Sequence, residues 1–123
     1  MAEFYREEAQ TILENLSSMP FENCYPLSRE FLDVPTSPGL YAVLHQTQGV
    51  LYIGMATKLR RRFRDGHKAF FWSFLEYYSP DEIRIAAIGV TIERFDLKAL
   101  RRLEDIETLM IRVARPRYNS RIK

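Results

Sequence analysis

The fold is decided by residues 39–62, GLYAVLHQTQGVLYIGMATKLRRR, in which two apolar runs flank a polar turn and lead into a basic segment. Each run contains a tyrosine and β-forming aliphatic residues, so residues 40–45 and 50–54 are predicted to be β-strands. Gln46–Gly49, which separates them, is the predicted hairpin connection. The stretch therefore predicts two antiparallel strands followed directly by a cationic helix start.

The hairpin determines where its two tyrosines point. Because side chains alternate across a strand, Tyr41 and Val43 share one face of the first strand. By the same alternation, Tyr52 shares a face of the second strand with Val50 and Gly54. If the hairpin pairs so that these faces agree, both phenols point the same way. Two converging tyrosines beside an arginine-rich helix start are unusual in a plain hydrophobic core.

Further elements follow the hairpin along the chain. Thr57 is predicted to cap a helix over residues 58–65, and the aromatic-rich residues 67–78 are predicted to form a second helix. Residues 83–90 are predicted to form a mostly apolar third strand, and residues 97–114 a long amphipathic helix. The sequence therefore predicts an α/β protein of the α+β type, with a small three-stranded antiparallel sheet flanked by helices.

The segment before the hairpin differs in composition from the rest of the chain. Residues 2–17 have apolar residues at helical spacing and are predicted to form an amphipathic helix that packs on the domain. The alternative is a helix for self-association or for binding a protein partner. Residues 20–38 contain four prolines and are predicted to be an irregular connector. We therefore divide the chain into an N-terminal helix with its connector, 1–37, and a main domain, 38–123.

Length and composition favour a single intracellular domain. The chain has 123 residues, of which 46% are hydrophobic, and this suits one domain with one packed core. No apolar run approaches the roughly 20 residues of a membrane span, and the acidic N-terminus lacks the features of a signal peptide. With one cysteine, Cys24, an internal disulfide is excluded, and a reducing, cytoplasmic location is the simplest expectation.

The net charge of +2 hides a strong asymmetry. Residues 1–37 carry seven acidic and two basic residues, whereas residues 38–123 carry nine acidic and sixteen basic residues, which gives net charges of −5 and +7. A basic main domain is what a polyphosphate partner requires, although an ordinary solvated basic surface is the alternative. Most aromatic rings of residues 67–78 are predicted to be core, and the alternative is that a minority stack on unpaired bases.

Two charged residues stand out from helix geometry. Arg62 lies three residues after Leu59 and next to Phe63, at the edge of the buried stripe of the first predicted helix of the main domain. A guanidinium in this position lies at the rim between core and solvent, where a phosphate can reach it. In the C-terminal helix, Glu107 falls at the edge of the apolar stripe, whereas Glu104 lies toward solvent. An inward-facing carboxylate is costly unless it meets a cation, and Arg62 is one alternative partner for Glu107.

Four sequence elements together resemble the GIY-YIG nuclease family. The first signature is present as Gly-Leu-Tyr at residues 39–41, with leucine in place of isoleucine, and the second is intact as Tyr-Ile-Gly at residues 52–54. The arginine that the family places ten residues after its second tyrosine corresponds to Arg62. The family's helical glutamate corresponds to Glu107, and its following basic segment to Arg-Pro-Arg-Tyr-Asn at residues 115–119. The resemblance covers most of the chain.

The resemblance implies a Mg²⁺- or Mn²⁺-dependent endonuclease that hydrolyses phosphodiester bonds of nucleic acid, with DNA as the expected substrate. It implies that Tyr52 is the general base or water activator and that Tyr41 positions water or phosphate. It also implies that Arg62 binds the scissile phosphate, that Glu107 holds the metal and that Asn119 supports the site. Glu107 is the inward-facing acid that helix geometry identifies, so a single-metal site is expected.

Substrate binding is assigned to the basic residues around the same arginine. Many relatives have a histidine four residues after that arginine, where this chain has Gly66, and His67 follows one step later. His67 therefore either reaches the site through a break in the helix or lies on the surface. The residues expected to contact substrate are Arg60, Arg61, Arg64, His67, Lys68 and Asn119.

Two other functions are alternatives to the nuclease. A domain of this fold that binds nucleic acid without cleaving it would be distinguished by a cleavage assay with Mg²⁺ or EDTA. An interaction domain that uses its N-terminal helix would be distinguished by its oligomeric state or by partner capture without nucleic acid. The presence of both tyrosines, Arg62 and Glu107 favours the enzyme.

Overall fold

A four-stranded antiparallel sheet forms the centre of the computed structural model, which describes residues 6–28, 30–90 and 94–120. The strands are β1 (Tyr25–Pro26), β2 (Gly39–His45), β3 (Gly49–Ala56) and β4 (Ile83–Gly89). They lie side by side in the order β1-β4-β2-β3, so β2 is internal and β3 is an edge strand. The α+β prediction is confirmed. The sheet has four strands rather than the predicted three because the two-residue β1, in the proline-containing connector, pairs with β4.

Helices cover both faces of this sheet. Their bounds are α1 Arg6–Ser18, α2 Leu59–Arg64, α3 Lys68–Leu75 and α4 Leu97–Ala114. One face packs against α1 and α4 through Leu40, Ala42 and Leu44 of β2. The other face packs against α2 and α3 through Tyr41 and Val43. None of the described helices is long and apolar enough to cross a membrane.

The N-terminal helix packs on the main domain, as its pattern predicts. Ala9 and Leu16 of α1 are buried in the core to which α4 also contributes, and Glu8 forms a salt bridge with Arg102 of α4. Residues 2–5 of the predicted helix lie outside the described residues. The boundary between residues 37 and 38 follows a change in charge along the chain and stays a prediction.

α2 begins without its predicted threonine cap. The helix starts at Leu59, Lys58 takes the cap position, and no side-chain hydrogen bond closes this end. The first two helix amides donate instead to the carbonyl oxygens of Ser37 and Pro35, at 3.1 and 3.0 Å. The prediction for Thr57 is wrong because the preceding loop supplies the acceptors that a cap would provide.

A bulge in β3 changes the face on which Val50 lies. Val43 pairs with Tyr52, but the next residue, Leu44, pairs with Val50, so Leu51 is an extra residue in β3. Leu51 and Tyr52 both contact the core under α2 and α3, whereas Val50 packs on the opposite face. The prediction that Val50 and Tyr52 share a face is therefore wrong, because strict alternation fails at an inserted residue.

α3 is shorter than the predicted helix over residues 67–78. His67 has extended backbone angles and is the cap residue, so the first helical residue is Lys68. The helix ends at Leu75, and Tyr77 then adopts a left-handed φ of 65°. Most of the aromatic run therefore lies on one short helix whose cap is His67.

Candidate active site

Tyr41 and Tyr52 lie on one face of the sheet as neighbours. Tyr41 pairs with Gly54 across the β2–β3 ladder and Tyr52 pairs with Val43, so the two phenols are diagonal neighbours. Their ring centroids are 6.1 Å apart. Tyr41 is 1% exposed, whereas Tyr52 is half-buried. The convergence that strand alternation predicts for these two rings is therefore present.

Gly54 makes room for the ring of Tyr41. A Cβ atom at position 54 would lie 2.5 Å from both Cζ and Oη of Tyr41, which is closer than real carbon atoms approach. Gly39 is constrained in a similar way, because a Cβ atom there would lie 2.3 Å from the carbonyl oxygen of Ile88. Close packing therefore requires glycine at both positions, which lie toward the open end of the hairpin.

His67 is buried at the site and contacts Tyr41. Its Nε2 lies 2.7 Å from Oη of Tyr41, and its Nδ1 accepts a hydrogen bond from the Ala69 amide at 2.9 Å. Gly66, just before it, has a φ of 96°, a left-handed conformation that glycine adopts readily. This break between α2 and α3 brings His67 to the tyrosines, although it lies one position later than in the resembling family.

The hydrogen bonds of His67 determine which nitrogen carries its proton. Burial, with the charge of Arg62 as a second cause, lowers the pKa of His67 to about 3, so the imidazole is neutral at pH 7. Because Nδ1 accepts from the Ala69 amide, the ring proton is assigned to Nε2. Nε2 therefore donates to the oxygen of Tyr41, and the Tyr41 hydroxyl can donate its own proton to a further acceptor.

Both phenols keep their protons at neutral pH. Burial raises the pKa of Tyr41, Tyr52 adds to the rise, and Arg62 opposes it through its charge and a hydrogen bond. Burial also raises the pKa of Tyr52, with the charge of Glu107 as a second cause, while Arg62 and a hydrogen bond with Tyr41 oppose the rise. For Tyr52 to accept a proton, further positive charge must therefore lie beside its phenol.

Arg62 brings positive charge to both tyrosines without being neutralised. Its half-buried side chain lowers the pKa of each phenol, and its Nη1 donates to the carbonyl oxygen of Gly66 at 3.4 Å. Across residues 6–28, 30–90 and 94–120, no carboxylate forms a salt bridge with Arg62, so the alternative pair with Glu107 is not formed. The charge of Arg62 is available to an anionic ligand.

Glu107 approaches the phenols from α4. It is half-buried, whereas Glu104 in the preceding turn is exposed, as helix geometry predicts. Burial raises the pKa of Glu107, a hydrogen bond from the Met55 backbone opposes the rise, and the charge of Glu104 adds to it. Met55 belongs to the edge strand β3. The charge of Glu107 in turn raises the pKa of Tyr41 and of Tyr52.

An open groove of about 550 Å³ lies where β3 passes into α2. It shares Arg62 with the tyrosine cluster, and its other charged side chains are two cations and one carboxylate, so its wall is positive. The lining residues are Met55, Ala56, Thr57, Lys58, Arg61, Arg62 and Asp65. The groove is large enough for a phosphodiester with its flanking sugars, and a cationic wall favours such a ligand.

Two of the predicted substrate-binding residues are engaged with the backbone. Arg60 donates from Nε and Nη2 to the carbonyl oxygens of Val34 and Leu32, at 2.9 and 2.7 Å. Asn119 accepts from the Ile53 amide at 2.9 Å and donates to the Ile53 carbonyl at 2.8 Å. Arg60 therefore fastens the loop before β2 to α2, and Asn119 fastens the C-terminal segment to β3.

The other predicted cations are accessible. Arg61, Arg64 and Lys68 are exposed, and Arg61 forms an exposed pair with Asp65 at 3.6 Å. Such a pair contributes only about 0.3–0.5 kcal/mol, so a phosphate can replace the carboxylate at little cost. Of the predicted substrate-binding residues, these three can contact a ligand from solvent. His67 belongs to the same set but is buried.

Residues 55–58 line the groove beside the tyrosine cluster, which the sequence did not predict. They connect β3 to α2 along the groove, and Lys58 adds a cation to its wall. The available signal in the sequence was their place directly between the second tyrosine signature and the arginine-rich helix. Residues in such a strand-to-helix connection line whatever opening lies between the two elements.

The oxygen donors of the site fit a hard divalent cation. In the part of the chain that the structure describes, no group of three or more His, Cys, Asp and Glu side chains could hold a metal ion. A zinc site with several nitrogen or sulfur ligands is therefore not formed there. One half-buried carboxylate, Glu107, beside an open groove suits Mg²⁺ or Mn²⁺, since Mg²⁺ commonly keeps several waters and uses substrate phosphates as ligands.

Acid is expected to destabilise the protein through His67. Its pKa falls from 6.5 to about 3 on folding, so between these values the unfolded chain binds a proton that the folded protein does not. The free energy of unfolding should therefore decrease as the pH is lowered through this window, by up to about 1.4 kcal/mol per pH unit from this residue. Urea titrations at pH 7 and pH 5 measure the difference.

Asparagine is the matched substitution, because it caps helices well but does not titrate. His67→Asn should lose this contribution to the pH dependence, while the contributions of all other groups stay the same. An equal decrease in stability between pH 7 and pH 5 in both proteins would show that His67 is protonated in the folded state.

Comparison with known proteins gives a partial match. The chain is similar to UvrABC system protein C of Chlorobium chlorochromatii (strain CaD3), with 27% identity over 101 residues. No family model and no solved structure matches the chain. The similarity covers 79% of this chain but 15% of the relative, so the chain spans only a small part of that protein's length.

Proposed function

We propose that this protein is an endonuclease that hydrolyses phosphodiester bonds in DNA with Mg²⁺ or Mn²⁺ as its cofactor. The observation that carries the proposal is the half-buried Arg62, which acts on two phenols and lines a basic groove without a salt bridge to any described carboxylate. A partly buried cation without a counterion is costly, and an anionic ligand relieves that cost. A phosphodiester in the groove is such a ligand.

Hydrolysis needs a water nucleophile, an acceptor for its proton, and positive charge on the phosphoryl oxygens. Arg62 binds these oxygens and stabilises the charge that develops on them. Tyr52, the less buried phenol, is the acceptor in its phenolate form, which Arg62 and the hydrogen bond with Tyr41 favour. The water oxygen bonds to phosphorus and its proton passes to the Tyr52 phenolate. The bond from phosphorus to the leaving sugar oxygen breaks, and that oxygen takes up a proton from solvent water.

A chain of hydrogen bonds orients the acceptor. Neutral His67 donates to Tyr41, and Tyr41 is left with its own proton to donate to Tyr52. The imidazole is in turn held by the Ala69 amide at the start of α3. Tyr41 is therefore a positioning residue that holds its neighbour or a water in place, and its high pKa suits a donor rather than a base.

Glu107 is the residue that would hold the cation, and the bound cation would add positive charge beside the phosphoryl oxygens and the Tyr52 oxygen. Burial raises its pKa, and a cation beside it would lower the pKa again by stabilising the ionised carboxylate. A single carboxylate corresponds to a one-metal site.

Two similarities support this proposal. The hairpin signatures, Arg62 and Glu107 resemble the corresponding residues of GIY-YIG nucleases, and the match to UvrABC system protein C supports DNA as the substrate and DNA repair as the setting. The chain covers 15% of that relative, so the proposal concerns the activity of this domain and not that of the whole relative.

A cleavage assay on duplex, single-stranded and branched DNA, with RNA of the same sequences, tests the proposal. Cleavage should require Mg²⁺ or Mn²⁺ and stop with EDTA. Arg62→Lys keeps the charge but loses the two-pronged contact with phosphate, so cleavage should fall by about 100-fold. Arg101→Lys on the exposed surface of α4 is the matched control and should cleave at the parent rate.

The second candidate is a domain that binds nucleic acid without cleaving it. It is favoured by the high pKa of both phenols, which leaves the site without a ready proton acceptor at neutral pH. If the protein binds these nucleic acids but cleaves none of them at any metal concentration, this second function is selected and the nuclease proposal is overturned.

A further inference from the structure

Exposed aromatic rings are concentrated in one short stretch of the chain. Among the described residues, the exposed phenylalanines and tyrosines are Phe71, Phe74 and Tyr77, with exposures of 62%, 46% and 95%. Leu75, within the same stretch, is 52% exposed. The sequence predicts that most rings of this run are core, but these three rings are in solvent.

The exposed side chains lie along α3, except for Tyr77, which follows two residues after the helix ends. Lys68, Phe71 and Leu75 follow one another at the i, i+3, i+7 spacing of a single helix face, and Phe74 lies beside them. We call Lys68, Phe71, Phe74, Leu75 and Tyr77 the aromatic strip. The opposite side of the helix, with Ala69 and Ser73, enters the core.

Tyr77 occupies a backbone conformation that does not favour its residue type. Its φ of 65° is left-handed, and this position after a helix is usually taken by glycine or asparagine, which adopt it at lower cost. Its ring gains nothing from burial, since it is 95% exposed. A bulky ring held in solvent on a strained backbone is more easily understood as a binding group than as part of the fold.

The aromatic strip is continuous with the candidate active site. The cap residue of α3 is His67, whose Nε2 lies 2.7 Å from Oη of Tyr41. Lys68 is the next residue, and the whole eight-residue helix is about 12 Å long. The strip therefore begins within about one helical turn of the site and leads away from it.

The charge along the strip suits a polyanion that carries aromatic groups. Lys68 at its start is exposed, and Arg64 is exposed just before it. The acid at its far end, Glu76, is already paired with Arg117 at 2.5 Å and accepts a hydrogen bond from Tyr118 at 2.5 Å. No free carboxylate of the described residues 68–77 therefore repels a phosphate chain.

We propose that the aromatic strip binds unpaired nucleotides next to the scissile phosphate, with Phe71, Phe74 and Tyr77 stacking on their bases and Lys68 contacting their backbone. This inference rests on the proposed nuclease function and names its substrate class: DNA with a single-stranded segment beside the cleaved bond. Phe71 and Phe74 are three residues apart on α3, which is about 4.5 Å along the helix axis, so one short strand can reach both rings. A paired base cannot offer its face to a side chain in this way, whereas an unpaired base can.

Binding of fluorescent 12-nucleotide DNA, measured by anisotropy in EDTA so that no cleavage occurs, tests the strip. The double variant Phe71→Ala/Phe74→Ala should bind the single strand at least about 10-fold more weakly, because base–aromatic stacking is lost at two positions. Its affinity for a 12-base-pair duplex should stay within about two-fold of the parent. Both side chains are exposed, so the melting temperature should be unchanged.

Further variants separate stacking from a general effect of exposed apolar surface. Phe71→Tyr/Phe74→Tyr keeps both aromatic faces and should retain single-strand binding, whereas Phe71→Leu/Phe74→Leu keeps apolar surface without rings and should not. Leu97→Ala/Val113→Ala removes exposed apolar side chains of α4, 70% and 75% exposed, and should change neither affinity. Equal binding of single strands by the parent and the alanine variant of the strip would overturn the inference.

The outcomes also distinguish this inference from the proposed function. If the parent cleaves DNA, and the alanine variant cleaves single-stranded and branched DNA at the same rate as the parent, the nuclease proposal stands and the strip proposal is wrong. If the strip variants lose single-strand binding but the parent cleaves nothing, the nuclease proposal fails and the strip proposal stands. A parent dimer that becomes monomeric in the alanine variant, with single-strand binding unchanged, would identify a second copy as the occupant and overturn the inference.

Discussion

Glu107→Gln is expected to remain folded and to lose at least about 100-fold of the metal-dependent cleavage rate, which is the usual size of loss when one electrostatic contact to the reacting groups is removed. Burial raises the pKa of Glu107, so the folded protein holds its proton more tightly than the unfolded chain does. The ionised carboxylate therefore costs stability above its unfolded pKa of 4.5. Glutamine removes that cost, and the melting temperature at pH 7 should be equal to or above that of the parent.

The matched control for this variant is Glu104→Gln. Glu104 lies on the same helix three residues earlier but is exposed, so its amide variant should cleave at the parent rate. A readout independent of activity is the rise in melting temperature on addition of Mg²⁺, which a cation bound to the folded state produces by mass action. The rise should be present in the parent and in Glu104→Gln and absent in Glu107→Gln. Parent-like cleavage by Glu107→Gln would remove Glu107 from the site.

Tyr52→Phe is expected to lower kcat by about 100-fold or more with little change in KM. The phenolate oxygen accepts a proton in the transition state and contributes little to holding the substrate, so its loss should affect the rate more than binding. The ring would still pack against His67 and Tyr41, whose centroids lie 4.8 and 6.1 Å away, so the loss of stability should be limited to that of the hydrogen bond with Tyr41, about 1 kcal/mol. Single-turnover rates and urea unfolding measure the two effects.

The neighbouring substitution Tyr41→Phe provides the contrast. Tyr41 is 1% exposed and accepts the hydrogen bond of His67, so its removal leaves a buried N–H without a partner. We expect it to cost about 1–3 kcal/mol of stability in addition to activity. An unchanged cleavage rate in Tyr52→Phe would show that Tyr52 is not the proton acceptor. Equal destabilisation by the two substitutions would show that the buried hydrogen bond between Tyr41 and His67 adds no stability of its own.

Local patterns in the sequence predicted the parts of the fold and site that depend on local geometry. Strand alternation placed Tyr41 and Tyr52 on one face, and the helical wheel placed Glu107 at the edge of a buried stripe and Glu104 in solvent. These predictions need only the periods of a strand and a helix. The shared face of Val50 and Tyr52 failed for the same reason, because one inserted residue in β3 breaks the period.

What the sequence could not predict depends on contacts between distant residues. Arg60 stands in the same basic stretch of sequence as the neighbouring arginines, yet it donates hydrogen bonds to carbonyl oxygens 26 and 28 residues earlier in the chain. Asn119 bonds to a strand 66 residues away. His67 reaches Tyr41 only because Gly66 turns the chain with a left-handed φ. No periodicity within a single element encodes such contacts.

The hydrogen bonds that hold the C-terminal segment on the edge strand β3 also affect the solubility of the protein. An edge strand with unpaired backbone groups is a template onto which another chain can add, and β3 is such an edge. Here Asn119 occupies both backbone groups of Ile53, and the Tyr118 amide bonds to the Leu51 carbonyl at 2.8 Å. The C-terminal segment thereby stops the sheet from growing. Proteolysis of this segment, or Asn119→Ala, would expose the edge of an apolar strand. The protein should then aggregate while it is still folded.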